Sequence, residues 1–469
     1  MLTYISTRGG APAVDFRSAL LAGLAPDGGL YLPRSWPTFD REQNDEIAGL
    51  SFAEAASLIL APFTAPWLDR KELLDLCSRA YARFAHPQVA PLTQLGDNRY
   101  VLELFHGPTL AFKDVAMQLL GLLFERALAE SGSRATIIGA TSGDTGGAAV
   151  EAFRGLNGVE VVILHPHERI SEVQRRFMTT TREANIRNLA LEGSFDDCQS
   201  IVKAIFADRS FCERHAISGV NSINWARLAI QTVYYFTAIA ALRRLGERRT
   251  PSFCVPTGNF GDVFAGYAAK KMGADIDRLI VAVNDNDIMR RALSTGTYAP
   301  QGVVATSSPS MDIQVASNFE RLLFEASGRD AAAVRALMAT FAQEGRYDIP
   351  PAWLEEMRRD FSSGRASREE CEQTIARIFH GHGKLVDPHT AVALNVQEKM
   401  RAARDMTGPV VTLSTAHPAK FPDTVEAATG ERPRLPDHVG DLYADDERYQ
   451  VMQADVRLVK EAIEHGGRG

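Results

Sequence analysis

The chain predicts an α/β fold, with mostly parallel sheet covered by helices on both faces. Three observations carry that expectation. Between about residues 100 and 285, short β-rich runs alternate with helical stretches. Those runs are continuously apolar, as strands buried on both faces must be. Glycine-rich turns stand where strands hand over to helices. Together these features imply βαβ units.

The elements follow in order. Residues 1–95 carry a Gly/Pro-rich start, DGGLYLP at 27–33, and helical patterns at 52–60 and 70–84. They read as an N-terminal extension packed on the main body. An apolar strand from Tyr100 to Phe105 precedes HGPTLAFKD and a helix. RATIIGA (134–140), VEVVILH (159–165), SFCVP (252–256) and RLIVAV (278–283) are the next strands. Residues 312–405 look mostly helical, and PVVTLST (409–415) is one more buried strand. The division expected is 1–95 as extension, 96–240 as a smaller α/β domain, and 241–469 as a larger one.

The chain's 469 residues suffice for such a division, with a sizeable core. A net charge of −7 and no Lys/Arg-rich tract argue against nucleic acid as a partner. The longest mostly apolar segment, Leu228 to Leu242, contains Gln231 and is too short to span a bilayer. A buried helix explains it, and no membrane association is expected. The five cysteines are scattered without CxxC or metal-ligand spacing. They read as reduced thiols of a cytoplasmic protein, and no metal is expected. The N-terminal residues show no apolar signal region.

Lys113 is the most telling single residue. A cation in the first turn of a helix is mildly unfavourable there. Leu110 and Phe112 would desolvate the amine, lower its pKa and make it more nucleophilic. Thr141, Ser142, Gly143, Asp144 and Thr145 stand where a strand meets a helix. That position suits an anion such as a carboxylate. Gly258, Asn259, Phe260, Gly261 and Asp262 form a second strand-to-helix turn. They match neither a Walker A loop nor GxGxxG, but can form a nest of backbone N–H groups for a phosphate. In that arrangement Asp262 must point away from the anion. Asn221, Ser222 and Arg227 cluster at a helix start, where an arginine can bind a phosphate through two parallel hydrogen bonds. Thr412 to Phe421 (TLSTAHPAKF) ends a buried strand in hydroxyl residues. Taken alone, its His417 and Lys420 read as structural or solvated.

HGPTLAFKD, TSGDTGGAA, SINWARLAIQTVYYF, PTGNFGDVFAGY and LSTAHPAKF, in that order, resemble the fold-type II pyridoxal-phosphate enzymes. Within them, the chain resembles the longer class of threonine synthases, which DGGLYLP and DPHTAVAL (387–394) also suit. The resemblance implies two open, mostly parallel sheets and pyridoxal 5'-phosphate as cofactor. It implies conversion of O-phospho-L-homoserine and water to L-threonine and phosphate. Lys113 looks like the lysine that holds the cofactor as a Schiff base, and Gly258–Asp262 like the cradle for its phosphate. Thr415 resembles the hydroxyl that meets the pyridine nitrogen, with Ser414 as the neighbouring alternative. The Thr141–Thr145 loop looks like the substrate-carboxylate site, and Asn221, Ser222 and Arg227 like holders of the substrate phosphate. Many fold-type II enzymes carry asparagine where this chain has Asp144. An amide can donate to the cofactor's phenolic oxygen and a carboxylate cannot, which leaves the role of Asp144 open. Two alternatives remain at this point: a phospholyase that releases a 2-oxo acid, and a non-catalytic binding homologue, which the presence of Lys113 disfavours.

Overall fold

A computed structural model describes residues 2–141, 143–219, 221–403 and 408–466. Two sheets organise the chain. The larger has six strands in the order Phe361–Arg365, Leu279–Val283, Ser252–Pro256, Val410–Ser414, Arg99–Glu103 and Leu92–Gly96. Every pairing in it is parallel except that of the edge strand Leu92–Gly96. Register is set by apolar partners such as Val281 with Val255 and Leu413 with Leu102. The smaller sheet is parallel throughout, in the order Gln450–Gln453, Ile186–Glu192, Val159–Pro166, Ala135–Ala140 and Ile217–Ser218.

The central strands are apolar on both faces because helices cover both. Ser252–Pro256, Leu279–Val283 and Val410–Ser414 are buried at every position. Leu228–Leu242 lies inside the helix Trp225–Arg244, which is buried along nearly its whole length. Among the described residues no helix is long and apolar enough to cross a membrane.

The sheets cut across the linear division read from the sequence. Arg99–Glu103 belongs to the six-stranded sheet, although it falls within 96–240. Gln450–Gln453 forms an edge of the smaller sheet, although it falls within 241–469. Chain order cannot show this, because a parallel neighbour is reached only through a long crossover. The stretch 312–405 also contains a strand, Phe361–Arg365 (FSSGR). It is a polar edge strand without an apolar run. Its Gly364 lets Val396 pack close, since a Cβ there would stand 2.6 Å from that side chain.

The N-terminal extension pairs Tyr4–Ser6 with Tyr31–Pro33 and adds the helices Phe52–Thr64 and Arg70–Tyr81. Ser51 and Glu54 form a capping box on the first, and Asp69 caps the second. The second helix ends at Tyr81, short of 84, because Phe84 leaves it to pack edge-on against Tyr81. The extension is anchored through the helix Phe319–Ala326. Arg8 donates to Glu320 through Nε and Nη2, at 3.0 and 2.8 Å. Arg321, fully buried, donates to the carbonyl oxygens of Tyr31 and Ile223.

Candidate active site

The motifs converge because each follows the carboxyl end of a parallel strand, where open α/β sheets hold their ligands. Lys113 begins the helix Lys113–Ser131. Its loop is drawn to the neighbouring strand end, since the Phe112 N–H donates to the Thr415 carbonyl oxygen at 2.8 Å. Asp114, fully buried, closes the same loop by accepting the Thr109 N–H and hydroxyl at 2.8 and 2.6 Å. Gly107 is required there, because a Cβ would stand 2.5 Å from that of Asp114.

Lys113 Nζ is buried 3.5 Å from Asp144 Oδ2 and 5.0 Å from the Phe112 ring centre. Burial pushes its pKa down. Asp144 opposes that shift, while Lys420 and Arg227 add to it. Asp144 opens the helix Asp144–Phe153 and turns its carboxyl inward. It accepts Gln174 Nε2 at 3.0 Å and meets Lys420 Nζ at 2.8 Å. Burial alone would raise this carboxyl. Lys420 and Lys113 outweigh burial and hold it well below the usual carboxylate range. Thr141 uses its hydroxyl oxygen to accept the Gly143 and Gly146 N–H groups at 3.0 and 2.9 Å. Gly143 has φ 141°, and a Cβ there would collide with Gln174. Thr145 is half-buried on the same turn, and Ser142 lies outside the described residues.

The second turn leads into the helix Gly261–Lys271, whose N-terminus no side chain caps. Gly258 runs so close to the backbone of Ser310 that a Cβ would stand 2.5 Å from its carbonyl oxygen. Phe260 takes a left-handed φ of 63°, rare for a bulky residue, and is held by the rings of Phe319 and Phe361. Asn259 donates to the Ser222 hydroxyl and accepts the Ser317 N–H at 2.6 Å. Asn318 donates to the carbonyl oxygens of both Ser222 and Asn259, each at 3.1 Å. Ser222 therefore touches the Gly258–Asp262 turn, while Asn221 is exposed. Arg227 is buried on the first turn of Trp225–Arg244, where burial pushes its pKa down to about 10.

Asp262 turns away from the mouth of its own loop. Its Oδ1 accepts the hydroxyls of Tyr234 and Tyr235 at 2.5 and 3.0 Å. Burial pushes its pKa up to about 6 from 3.8, against the pull of the two tyrosines and Lys113. The unfolded chain releases this proton near 3.8 and the folded chain near 6, so ionising Asp262 destabilises the fold progressively across that window. Asp262→Asn keeps the acceptor and removes the charge. Relative to the parent, the variant is expected to gain about 1–3 kcal/mol between pH 4 and pH 7.5, read from urea midpoints at both pH values. An equal difference at the two pH values would contradict this.

At the third strand end, hydrogen-bond polarity separates Ser414 from Thr415. Asp387 accepts the Thr390 hydroxyl proton, so Thr390 can only accept from Ser414, 3.0 Å away. Ser414 thus spends its one proton on Thr390. Among the described residues none bonds the Thr415 hydroxyl, which leaves it free to donate. The sequence reading missed Lys420. It is not solvated but 1% exposed, and it bonds both Asp144 and the Thr109 carbonyl oxygen. Nor did that reading single out Gln174, Tyr234 or Tyr235. The sequence signals for Lys420 were its place a few residues beyond the Val410–Ser414 strand end and its presence in the LSTAHPAKF motif, neither of which names its partner.

Comparison with known proteins places the chain in a family. Residues 3–81 match the family described as threonine synthase N terminus, and 390–463 match threonine synthase, C-terminal. Residues 87–352 match the family of pyridoxal-phosphate dependent enzymes. The chain is 48% identical to a threonine synthase of Pseudomonas aeruginosa, over 100% of this chain and 99% of the other. It is 40% identical to that of Saccharomyces cerevisiae, over 98% and 97%. Among solved structures, pyridoxal-phosphate-bound threonine synthase from Brucella melitensis superposes with a TM-score of 0.96 at 51% identity, covering 100% of both chains. The Escherichia coli enzyme gives a TM-score of 0.82 at 32% identity, covering 99% of both.

Proposed function

The chain belongs to the threonine synthase family of pyridoxal-phosphate-dependent enzymes, and on that premise we propose that the cleft around Lys113 converts O-phospho-L-homoserine and water to L-threonine and phosphate. One observation carries the reading. Lys113, a buried amine of lowered pKa, stands on Asp144 between two helix N-termini built from glycine turns.

The residues present fit the cofactor. The uncapped N–H groups of the Gly258–Asp262 turn, opened by the close backbone approach at Gly258, suit its phosphate. The unengaged Thr415 hydroxyl suits its pyridine nitrogen, and Ser414, committed to Thr390, does not. When bound, pyridoxal phosphate supplies the electron sink that makes protons next to the substrate amine acidic.

The chain's own groups supply the rest. Lys113 takes the proton from Cα, a task for which burial, by lowering the pKa of its amine, favours the neutral form. The N-terminus of Asp144–Phe153, with Gly143 and Thr145, receives the substrate carboxylate. Arg227 holds the substrate phosphate. Ser222, tied to Asn259, links that site to the cofactor-phosphate turn. The exposed Asn221 lies at its rim. A Cβ proton is lost as phosphate leaves Cγ, and a proton is returned to Cγ. Water adds with its hydroxyl at Cβ and a proton at Cα, so that atoms and charge balance with phosphate carrying the remaining proton. The chain works in the cytoplasm on this reading, with its five cysteines unpaired.

The test is product analysis. Purified protein given O-phospho-L-homoserine is expected to release threonine and phosphate one for one. Release of a 2-oxo acid and ammonia in place of threonine would make the chain a phospholyase.

A further inference from the structure

We propose that Lys420 is a cofactor-binding residue: held in place by Asp144, its ammonium group donates a hydrogen bond to the phenolic oxygen of pyridoxal phosphate. The proposal rests on the assignment of Lys113 as the residue that bonds the cofactor.

Lys420 is among the most deeply buried cations of the chain, at 1% exposure. Its Nζ lies 2.8 Å from Asp144 Oδ1 and donates to the Thr109 carbonyl oxygen at 2.7 Å. The ring of Phe177 packs 5.1 Å from it. An ammonium has three N–H groups. Asp144 and Thr109 take two, and among the described residues the third has no acceptor. A buried donor left without an acceptor is costly, so the position calls for one more oxygen.

The chemistry of the cofactor says which oxygen arrives there. Its aldehyde carbon and its phenolic oxygen sit on neighbouring ring carbons. Bonding through Lys113 Nζ therefore brings the phenolic oxygen beside that nitrogen. Asp144 Oδ2 is 3.5 Å from the same nitrogen. The incoming oxygen thus lands next to an ionised carboxylate, which can only accept hydrogen bonds. Two acceptors side by side repel unless a donor lies between them. Lys113 is engaged with the cofactor, Arg227 is assigned to the substrate phosphate, Gln174 Nε2 is spent on Asp144 Oδ1 at 3.0 Å, and the Ser310 hydroxyl reaches Asp144 Oδ2 only at 3.5 Å. Lys420 is the remaining cation in contact with Asp144. The Asp144–Lys420 pair so does jointly what a single amide could do alone.

The visible chromophore formed with Lys113 reads this out without any turnover. Lys420→Met removes a cation beside the chromophore and leaves Asp144 unbalanced. Both changes favour the protonated chromophore, so its pKa is expected to rise by about one unit or more. Asp144→Asn/Lys420→Met restores a neutral donor and is expected to return at least half of that shift. A Lys420→Met holoenzyme titrating with the parent, or a double variant displaced as far as the single, would overturn the proposal. If Lys420→Met does not fold, Asp144→Asn is compared with the double variant. A higher chromophore pKa in the double variant supports the contact, and equal values overturn it. Absence of any chromophore in the parent would instead remove the assignment of Lys113 itself.

Discussion

Lys113→Ala is expected to abolish threonine formation, lowering turnover by about 10⁴-fold or more, while the chain stays folded. On the proposed reading the residue is both the cofactor's attachment point and the base at Cα, and no neighbour can take both tasks. Lys420 is the other buried amine nearby, but Asp144 and Thr109 hold it. Folding survives because Lys113 contributes little to it. A cation in the first turn of a helix is unfavourable, and its burial adds a desolvation penalty. Asp144 keeps Lys420 as a partner after the change. Turnover, the visible absorption of the holoprotein and far-ultraviolet circular dichroism check the three parts together. Threonine formation within tenfold of the parent would refute the assignment.

Arg227→Met carries the second large effect. The arginine is 3% exposed on the first turn of its helix, and methionine replaces its buried aliphatic stem while removing the guanidinium. A bidentate arginine–phosphate contact is charge-assisted and strong. Its loss is expected to lower kcat/KM by about 10²-fold, mostly through KM. Product inhibition by inorganic phosphate should weaken in parallel, because on the proposed reading the same cation holds the leaving group. The chromophore should keep its absorption, since the proposed seat of the cofactor phosphate is the backbone N–H groups of the Gly258–Asp262 turn and not Arg227. Unchanged KM and phosphate inhibition would remove Arg227 from the site.

What the sequence shows of this site, and what it hides, follows from distance along the chain. Lys113, the Thr141–Thr145 turn and the Gly258–Asp262 turn are legible because each is a local pattern: an apolar strand, glycines and a helix start. The choice between Ser414 and Thr415 is not local. It depends on Asp387 fixing the direction of the Thr390 hydroxyl, a relation between two segments that only the fold brings together. Lys420 is hidden for the same reason, since nothing next to it in sequence discloses that Asp144 is its partner. The Tyr234–Tyr235–Asp262 cluster joins two helices and has no signature in either. Among the strands, FSSGR escaped notice because an edge strand needs no apolar run.

Asn318 and Arg321 give the first 95 residues a consequence for chemistry. Arg321 grips the carbonyl oxygens of Tyr31 in the extension and of Ile223 beside Ser222, while Asn318 braces Ser222 and Asn259 together. The leading segment is thereby the outer abutment of both proposed anion cradles. If the proposed sites hold, a version trimmed to the catalytic body would lose grip on two phosphates at once, and no optimisation of the cleft alone could replace that distant support.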